Sequence, residues 1–168
     1  MPVRKLKEFL DDKNVVYSSI NHSRAYTARA AAETARVPAE EVAKTVMVKL
    51  DDKMAMAVLP AANEVDFDLL KKVSNATKVS LASELEFAHI FPDCELGAMP
   101  PFGHLYGLDV YVAAALAGDE KIFFSAGSHT ELVGMTYDDF QGVAQPKVAR
   151  FSKRRRQKRD IREIEPLA

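Results

Sequence analysis

Residues 44–59 read KTVMVKLDDKMAMAVL, and this stretch decides the predicted fold. Side chains alternate from residue 44 to residue 50, so Lys44 shares the more apolar face of a strand with Val46 and Val48. The Asp-Asp pair that follows favours a turn, and a second strand completes the stretch. We therefore predict a β-hairpin whose first strand begins with Lys44.

Shorter elements are predicted on both sides of this hairpin. We expect helices over residues 3–12 and 28–36, and Thr27 is the predicted cap of the second. Shorter helices are expected after Asp66, after Ser83 and after Thr136 or Asp139. Strands are expected over residues 15–20, 108–112, 121–125, 131–135 and 148–151. Because no regular β-α-β alternation runs through the chain, we predict an α/β protein of the α+β type. Its mixed, largely antiparallel sheet is flanked by helices in a single domain.

Charge is distributed unevenly along the chain. The chain has 168 residues and is 48% hydrophobic, which is enough for one core and too little to favour two. Up to residue 149 it carries 15 basic and 21 acidic residues, a net charge of −6, whereas the rest carries eight basic and three acidic residues, a net charge of +5. We predict an acidic domain over residues 1–151 and a basic tail over residues 152–168. The tail either contacts an anionic partner or only solubilises the chain.

Several classes of protein are disfavoured by the sequence. The longest apolar stretches, such as residues 110–117, are too short to span a membrane, and residues 1–10 lack the apolar core of a secretory signal. Cys94 is the only cysteine, and no base is recognisable near it in the sequence. Walker, Rossmann, nucleophile-elbow and zinc-protease motifs are absent. We expect a cytosolic protein without a metal or redox cofactor.

Two loops and one strand end carry the residues best suited to chemistry. The loop GAMPPFG over residues 97–103 combines stiff prolines with permissive glycines, so it is suited to presenting backbone N–H groups to a ligand, although an ordinary rigid turn has the same composition. Lys44, on an apolar face, favours an anionic partner, unless it only extends to solvent from the strand end.

Polar residues also precede the second predicted helix and follow a strong strand. In the segment HSRAYT over residues 22–27, a helix N-terminus favours a nearby anion, unless Thr27 serves only as a cap. In the segment SAGSHT over residues 125–130, His129 is able to donate or accept a proton, unless it is a surface histidine without a role.

Taken in order, the AKTV strand at residues 43–46, the loop at 97–103 and the GSHT loop at 127–130 resemble the YbaK/ProX family of aminoacyl-tRNA deacylases. The chain is also similar to the editing domain inserted in bacterial prolyl-tRNA synthetases. The resemblance spans about residues 5–151. It implies a freestanding trans-editing enzyme that hydrolyses the ester joining a wrong, small amino acid such as Ala, Ser or Cys to the terminal ribose of tRNA.

The resemblance also implies roles for particular residues. Lys44, Gly97 and His129 are the catalytic candidates, because they match the family's required lysine, its loop glycine and its pocket segment. The substrate-binding candidates are His22, Tyr26, Thr27, Pro100, Pro101, Phe102, Gly103, Ser128 and Thr130, and the tRNA-binding candidates are Arg154, Arg155 and Arg156. Several relatives have a second glycine where this chain has Ala98, so the shape of the pocket is expected to differ.

Two other interpretations remain open at this point. The same pocket would also suit a non-catalytic module that binds an aminoacyl or nucleotide ligand in regulation or in a synthetase complex. A thiol hydrolase that uses Cys94 is a third interpretation. The expected partners are aminoacyl-tRNA and, as an open second partner, an aminoacyl-tRNA synthetase, whereas the sequence does not indicate the oligomeric state.

Overall fold

The computed structural model describes residues 2–154 of the chain. The helices are α1 (Arg4–Asp12), α2 (Ala28–Ala35), α3 (Phe67–Ser74), α4 (Glu84–Phe87), α5 (Ala114–Ala117) and α6 (Tyr137–Ala144). The strands are β1 (Ser18–Asn21), β2 (Val42–Leu50), β3 (Lys53–Pro60), β4 (Asn63–Val65), β5 (Val79–Leu81), β6 (Asp109–Ala113), β7 (Lys121–Ser125), β8 (Glu131–Thr136), β9 (Lys147–Ala149) and β10 (Ser152–Arg154). Single 3-10 turns occur at Ala39–Glu41, Ala88–Ile90 and Gly103–Tyr106.

The main sheet is mixed and is flanked by helices, as predicted. Its strand order is β1-β8-β7-β2-β3-β6-β9, with β5 also paired to β2, while β4 and β10 form a separate two-stranded ribbon. The pairs β2/β7, β3/β6 and β6/β9 are parallel, and the other pairs of the main sheet are antiparallel. The predicted fold class is therefore confirmed.

The central hairpin follows the alternation of its sequence. β2 and β3 pair antiparallel from Ala43 opposite Pro60 to Leu50 opposite Lys53, and Asp51 adopts a positive φ of 57° in the tight turn. On one face of β2, Met47 joins the largest apolar cluster, and on the other face Val48 joins a second cluster. Both faces of the hairpin are therefore covered.

Two different strands, β7 and β5, pair with the edge of β2 that lies opposite β3, and this arrangement positions the site. β7 pairs with the beginning of β2 at Val42 and Ala43, whereas β5 pairs with its end at residues 48–50. Lys44 and Thr45 follow immediately after the β7 contact. The sheet therefore has a gap along this edge of β2, between the β7 and β5 pairings, and Lys44 and Thr45 lie beside it.

The main core packs beneath the loop that follows α4. Phe102 is fully buried, and its ring centroid lies 5.4 Å from those of both Phe124 and Phe140 in edge-to-face geometry. Leu6 and Leu10 of α1 are fully buried in the same cluster, which agrees with the apolar face predicted for this helix. Pro100, Pro101 and Phe102 of this loop are thus buried, and the Phe102 ring packs against the core.

Local signals placed several elements correctly. Thr27, Asp66 and Ser83 cap α2, α3 and α4 through their side chains, and Glu86 completes the capping box. The first strand begins later than expected, at Ser18, because the Val15 N–H donates to the carbonyl of Leu10 at the end of α1 (3.0 Å).

The chain beyond residue 146 differs from the expectation. The predicted strand over residues 148–151 is observed as β9, which ends at Ala149, and Phe151 is instead buried in the second apolar cluster. Residues 152–154 then pair with β4, so the predicted basic tail starts with a short strand. The division into a domain of residues 1–151 and a tail remains a prediction, because most of that tail, including Arg155 and Arg156, lies outside the described residues.

Candidate active site

A cavity of about 310 Å³ lies where the sheet opens beside Lys44. It is lined by Ala25, Tyr26, Thr27, Ala28, Arg29, Ala43, Lys44, Thr45, Ala61, Gly97, Met99, Ser125 and His129. Apart from Ala61, which follows β3, these residues come from the start of α2 and the segment before it, from β2 and from the two loops singled out in the sequence. A volume of this size falls at the lower end of the range for small-ligand pockets.

The two loops of the pocket are joined through their backbones. The Glu95 N–H donates to the carbonyl of Gly127, and the Gly127 N–H donates to the carbonyl of Ala98, both at 2.8 Å. Gly127 has a φ of +115°, and a Cβ atom at this position would overlap the Val3 side chain. Only glycine fits there, so the Gly-Ser-His-Thr loop is positioned by Val3, the residue before α1, as well as by the Gly97 loop.

His129 supports the pocket wall through both its backbone and its ring. Its Nε2 lies 2.7 Å from the carbonyl oxygen of Leu96, and because a carbonyl only accepts, Nε2 carries a proton and donates. Its backbone N–H donates to Glu95 Oε2, also at 2.7 Å. His129 is only 7% exposed, and its ring centroid lies 5.1 Å from that of Tyr26 in a tilted arrangement. His129 therefore fixes the backbone immediately before Gly97.

Glu95 links this assembly to the segment before α2. Arg24 Nη1 lies 3.2 Å from both carboxylate oxygens of Glu95, and the Ala25 N–H donates to the carbonyl of His129. The pKa of Glu95 is lowered, chiefly by the hydrogen bond from the His129 backbone N–H and further by Arg24. Neither Arg24 nor Glu95 was identified from the sequence, because the pair is joined across 71 positions.

The Gly97 N–H is a loop donor that a ligand oxygen could engage, because its present acceptor is weak. Pro100 and Pro101 have no N–H, and the Ala98 N–H already donates to the carbonyl of Glu95. The Gly97 N–H donates to Met99 Sδ at 3.2 Å, and a thioether is a weak acceptor. Gly97 also has a φ of +87°, which directs this N–H in a way that other residues rarely permit.

Positive charge and a helix N-terminus lie at another part of the wall. Lys44 is half-buried and lines the cavity, and Arg29 is exposed on the first turn of α2. The Thr27 hydroxyl accepts from the Ala30 N–H at 3.1 Å, so the cap that the sequence predicted is present. Together these groups favour an anion or a carbonyl oxygen in the cavity.

The structure brings five of the predicted site residues together at the cavity and places the others elsewhere. Lys44, Gly97, His129, Tyr26 and Thr27 line it. The others lie outside the lining: His22 Nδ1 contacts the carbonyl of Ser23, Ser128 and Thr130 contact each other through their hydroxyls, and Pro100, Pro101, Phe102 and Gly103 are buried.

The GAMPPFG loop also has residues that pack against the core and do not line the pocket. Phe102 packs in the core, and a Cβ atom on Gly103 would lie 2.6 Å from a Val110 methyl group and 2.7 Å from the Leu108 carbonyl oxygen. Ala98, expected to alter the pocket shape, is fully buried and is not among the lining residues. The contribution of this segment to substrate binding remains a prediction, whereas its packing against the core is observed.

Cys94 is poorly suited to act as a nucleophile. It is half-buried, 3.7 Å from the Tyr106 hydroxyl and 3.6 Å from Asp93 Oδ1. Loss of solvent raises the pKa of its thiol to about 11, so it is protonated at neutral pH. Within residues 2–154 there is also no group of three His, Cys, Asp or Glu side chains that could hold a metal ion.

Arg154 is exposed on β10, where it pairs with Asn63, and it is not among the residues that line the cavity. The other two arginines predicted to contact tRNA, Arg155 and Arg156, lie outside the described residues. No helix in the described part of the chain has the length and apolar character needed to cross a membrane.

The chain is similar to known proteins in both sequence pattern and fold. Residues 22–143 match the family described as the aminoacyl-tRNA editing domain. Among solved structures, a hypothetical protein named APE2540 superposes with a TM-score of 0.80 at 18% identity, covering 89% of this chain and 100% of its own. A candidate trans-editing enzyme for prolyl-tRNA synthetase has a TM-score of 0.76 at 17% identity, covering 90% of this chain and 96% of its own.

A third structure shows the same fold in a longer protein. A candidate signal transduction protein from Marinobacter aquaeolei VT8 has a TM-score of 0.71 at 17% identity, with 90% of this chain and 31% of that chain covered. At such identities, likeness to a structure shows the fold alone. No curated protein sequence matches the chain. The family match confirms the resemblance predicted from the sequence.

Proposed function

Because the chain belongs to the aminoacyl-tRNA editing family, we propose that it is a freestanding trans-editing deacylase that removes a small, wrongly attached amino acid from tRNA. In this reaction water adds to the ester carbonyl, and the bond to the terminal ribose oxygen breaks. The products are a free amino acid and a tRNA with both hydroxyls restored, so no co-reactant other than water is needed. The observation that carries the proposal is the meeting of Lys44 and the Gly97 N–H in one cavity.

The Gly97 N–H is assigned to the carbonyl oxygen of the substrate. As water attacks, negative charge develops on that oxygen, and a fixed N–H donor stabilises it more strongly than it stabilises the neutral ester. One such donor contributes about 3–4 kcal/mol, or about 10²–10³-fold in rate. An aminoacyl ester is already labile, so a site without a catalytic triad is sufficient for the reaction.

Lys44 is assigned to the nucleotide end of the substrate. It lines the same cavity as the N-terminal residues of α2, among which Arg29 adds a second cation. A phosphate or ribose oxygen bound there would place the ester near Gly97. Lys44 thus contributes by orientation, for which misplacement by 1 Å costs about 100-fold in rate.

Activation of the attacking water is assigned to the vicinal hydroxyl of the terminal ribose. His129 Nε2 donates to the Leu96 carbonyl, which favours a positioning role for this histidine over that of the general base. A tRNA that ends in 2′-deoxyadenosine, with the amino acid on the 3′ oxygen, should therefore be deacylated far more slowly. Deacylation of this tRNA at the normal rate would rule out assistance by the substrate.

The apolar part of the pocket suits a short acyl side chain. Ala25, Ala43 and Ala61 contribute single methyl groups, and each is at most 7% exposed. A pocket wall discriminates one methylene by about 1–3 kcal/mol, so larger cognate amino acids are excluded mainly by size. Alanine, serine and cysteine are the amino acids we expect to be removed.

Deacylation of tRNAs charged with Ala, Ser, Cys, Thr and Pro tests the proposal. Wild-type protein is compared with Lys44→Ala and with Lys53→Ala, a matched control in which the lysine lies at the start of β3 and pairs with Asp109. We expect hydrolysis of one or more small aminoacyl species, loss of that activity in Lys44→Ala, and no loss in Lys53→Ala. If all species remain intact while an aminoacyl-adenosine analogue binds, the chain is a binding module instead.

A further inference from the structure

Met99 differs from the other apolar side chains that line the cavity. It is only 4% exposed and belongs to the main core cluster, yet it also forms part of the pocket wall. Among the described lining residues, the remaining aliphatic side chains are alanines, and Tyr26 is 70% exposed. Met99 is therefore the long aliphatic side chain of the cavity in the described part of the chain.

Met99 also contacts the donor on which the proposed reaction depends. Its Sδ lies 3.2 Å from the nitrogen of Gly97, two residues earlier. A thioether accepts hydrogen bonds weakly, whereas an ester carbonyl, and still more its developing oxyanion, accepts them strongly. Replacement of the sulfur by the substrate oxygen is therefore favourable.

We propose that Met99 is the specificity-determining side chain of this pocket. It limits the length of the acyl side chain, and its sulfur holds the Gly97 N–H until the substrate carbonyl replaces it. This inference rests on the proposed function, because it takes the Gly97 N–H as the donor to the carbonyl. Methionine suits both tasks, since an unbranched side chain with three rotatable bonds gives way without a rearrangement of the core.

Size selection by Met99 is tested with stable amide analogues, 3′-aminoacylamino-3′-deoxyadenosines that carry alanyl, valyl or leucyl groups. Calorimetry measures their affinities for wild type, Met99→Ala and the volume-matched Met99→Leu. Met99→Ala removes Cγ, Sδ and Cε and so creates room for about three methylene groups, and the preference for alanyl over leucyl should therefore fall by at least about tenfold in this variant. Met99→Leu should keep the wild-type preference.

The contact with the Gly97 N–H is tested separately by NMR, and this measurement needs only the volume-matched variant. In the free proteins, the Gly97 amide resonance should differ between wild type and Met99→Leu, because one has a sulfur acceptor and the other does not. With the alanyl analogue bound, the chemical shifts of the Gly97 amide in the two proteins should converge, because in both proteins this amide then donates to the carbonyl of the analogue. A difference that is as large in the bound state as in the free state would overturn the displacement of sulfur by the substrate.

The outcomes separate this inference from the proposed function. An unchanged alanyl-to-leucyl preference in folded Met99→Ala overturns the role of Met99, even if wild type hydrolyses mischarged tRNA. Conversely, a changed preference without any tRNA hydrolysis supports the role of Met99 and contradicts the deacylase. Failure of wild type to bind any of the analogues overturns the inference, and hydrolysis of tRNA then decides the proposed function by itself.

Discussion

Replacement of Gly97 by alanine should separate the stability of the loop from its chemistry. Gly97 has a φ of +87°, and a Cβ atom there would lie 3.4 Å from His129 Cε1, which is an ordinary contact. The cost therefore comes from the backbone conformation, about 1–3 kcal/mol. Because an alanine in this conformation shifts the Gly97 N–H from its position, we also expect kcat to fall by about 10²–10³-fold, the value of one oxyanion donor.

Gly107→Ala is the matched control for this prediction. Gly107 has a φ of +71°, no atom lies within 4 Å of a Cβ built there, and it does not line the cavity. Urea unfolding should show a similar loss of stability in both variants, whereas only Gly97→Ala should lose deacylation activity. The reasoning is refuted if Gly97→Ala retains near-normal kcat, or if Gly107→Ala loses as much activity as Gly97→Ala.

Three further predictions concern the supports of the pocket and the C-terminal segment. The pKa of Glu95 is lowered, so the stability that its carboxylate contributes is present above the ordinary glutamate pKa and is lost as pH falls through the lowered value. Glu95→Gln should therefore have a lower free energy of unfolding than wild type at neutral pH, and this difference should shrink in acid. A difference that stays constant with pH would contradict the reasoning. Cys94→Ala should keep full deacylation activity, because the half-buried thiol with a pKa of about 11 is protonated, and a large loss of activity would support the thiol hydrolase instead. Deletion of residues 155–168 leaves β10 intact and removes five basic residues, so it should weaken tRNA binding. The slope of log K against log salt concentration should decrease in magnitude by about 0.7–0.9 for each phosphate that the tail had neutralised. An unchanged slope would exclude a contribution of the tail to tRNA binding.

Elements with strong local signals were predictable from the sequence. The hairpin of β2 and β3 follows from alternation on both sides of an Asp-Asp turn, and the caps at Thr27, Asp66 and Ser83 follow from residue type and spacing. These signals act within a few residues, so a single sequence contains them. The loop at residues 97–103 was likewise recognised from its glycines and prolines.

The elements that were missed depend on distant partners. β5 and β4 have three residues each, and β4 is completed by residues 152–154, almost 90 positions later, as in the Asn63–Ser152 hydrogen bond with a separation of 89. Such strands are too short to show a period in the sequence. Their presence is decided by pairing in the folded protein.

The pocket was predictable in its loops but not in the direction of its side chains. Phe102 was expected to contact substrate, yet its ring packs in the core, whereas Met99 in the same loop lines the cavity. The ties among Arg24, Glu95 and His129 cross 34 and 71 positions and belong to no local motif. Which side of a loop faces a ligand is determined by these long-range contacts.

The measurement that tests the central claim most directly is the single-turnover hydrolysis of tRNA mischarged with alanine, at increasing concentrations of wild-type protein. A deacylase should raise the first-order rate of alanine release above the spontaneous rate until the rate saturates, and Lys44→Ala should abolish the increase. A rate that stays at the spontaneous value, or falls below it as the protein binds and shields the ester, would contradict the account.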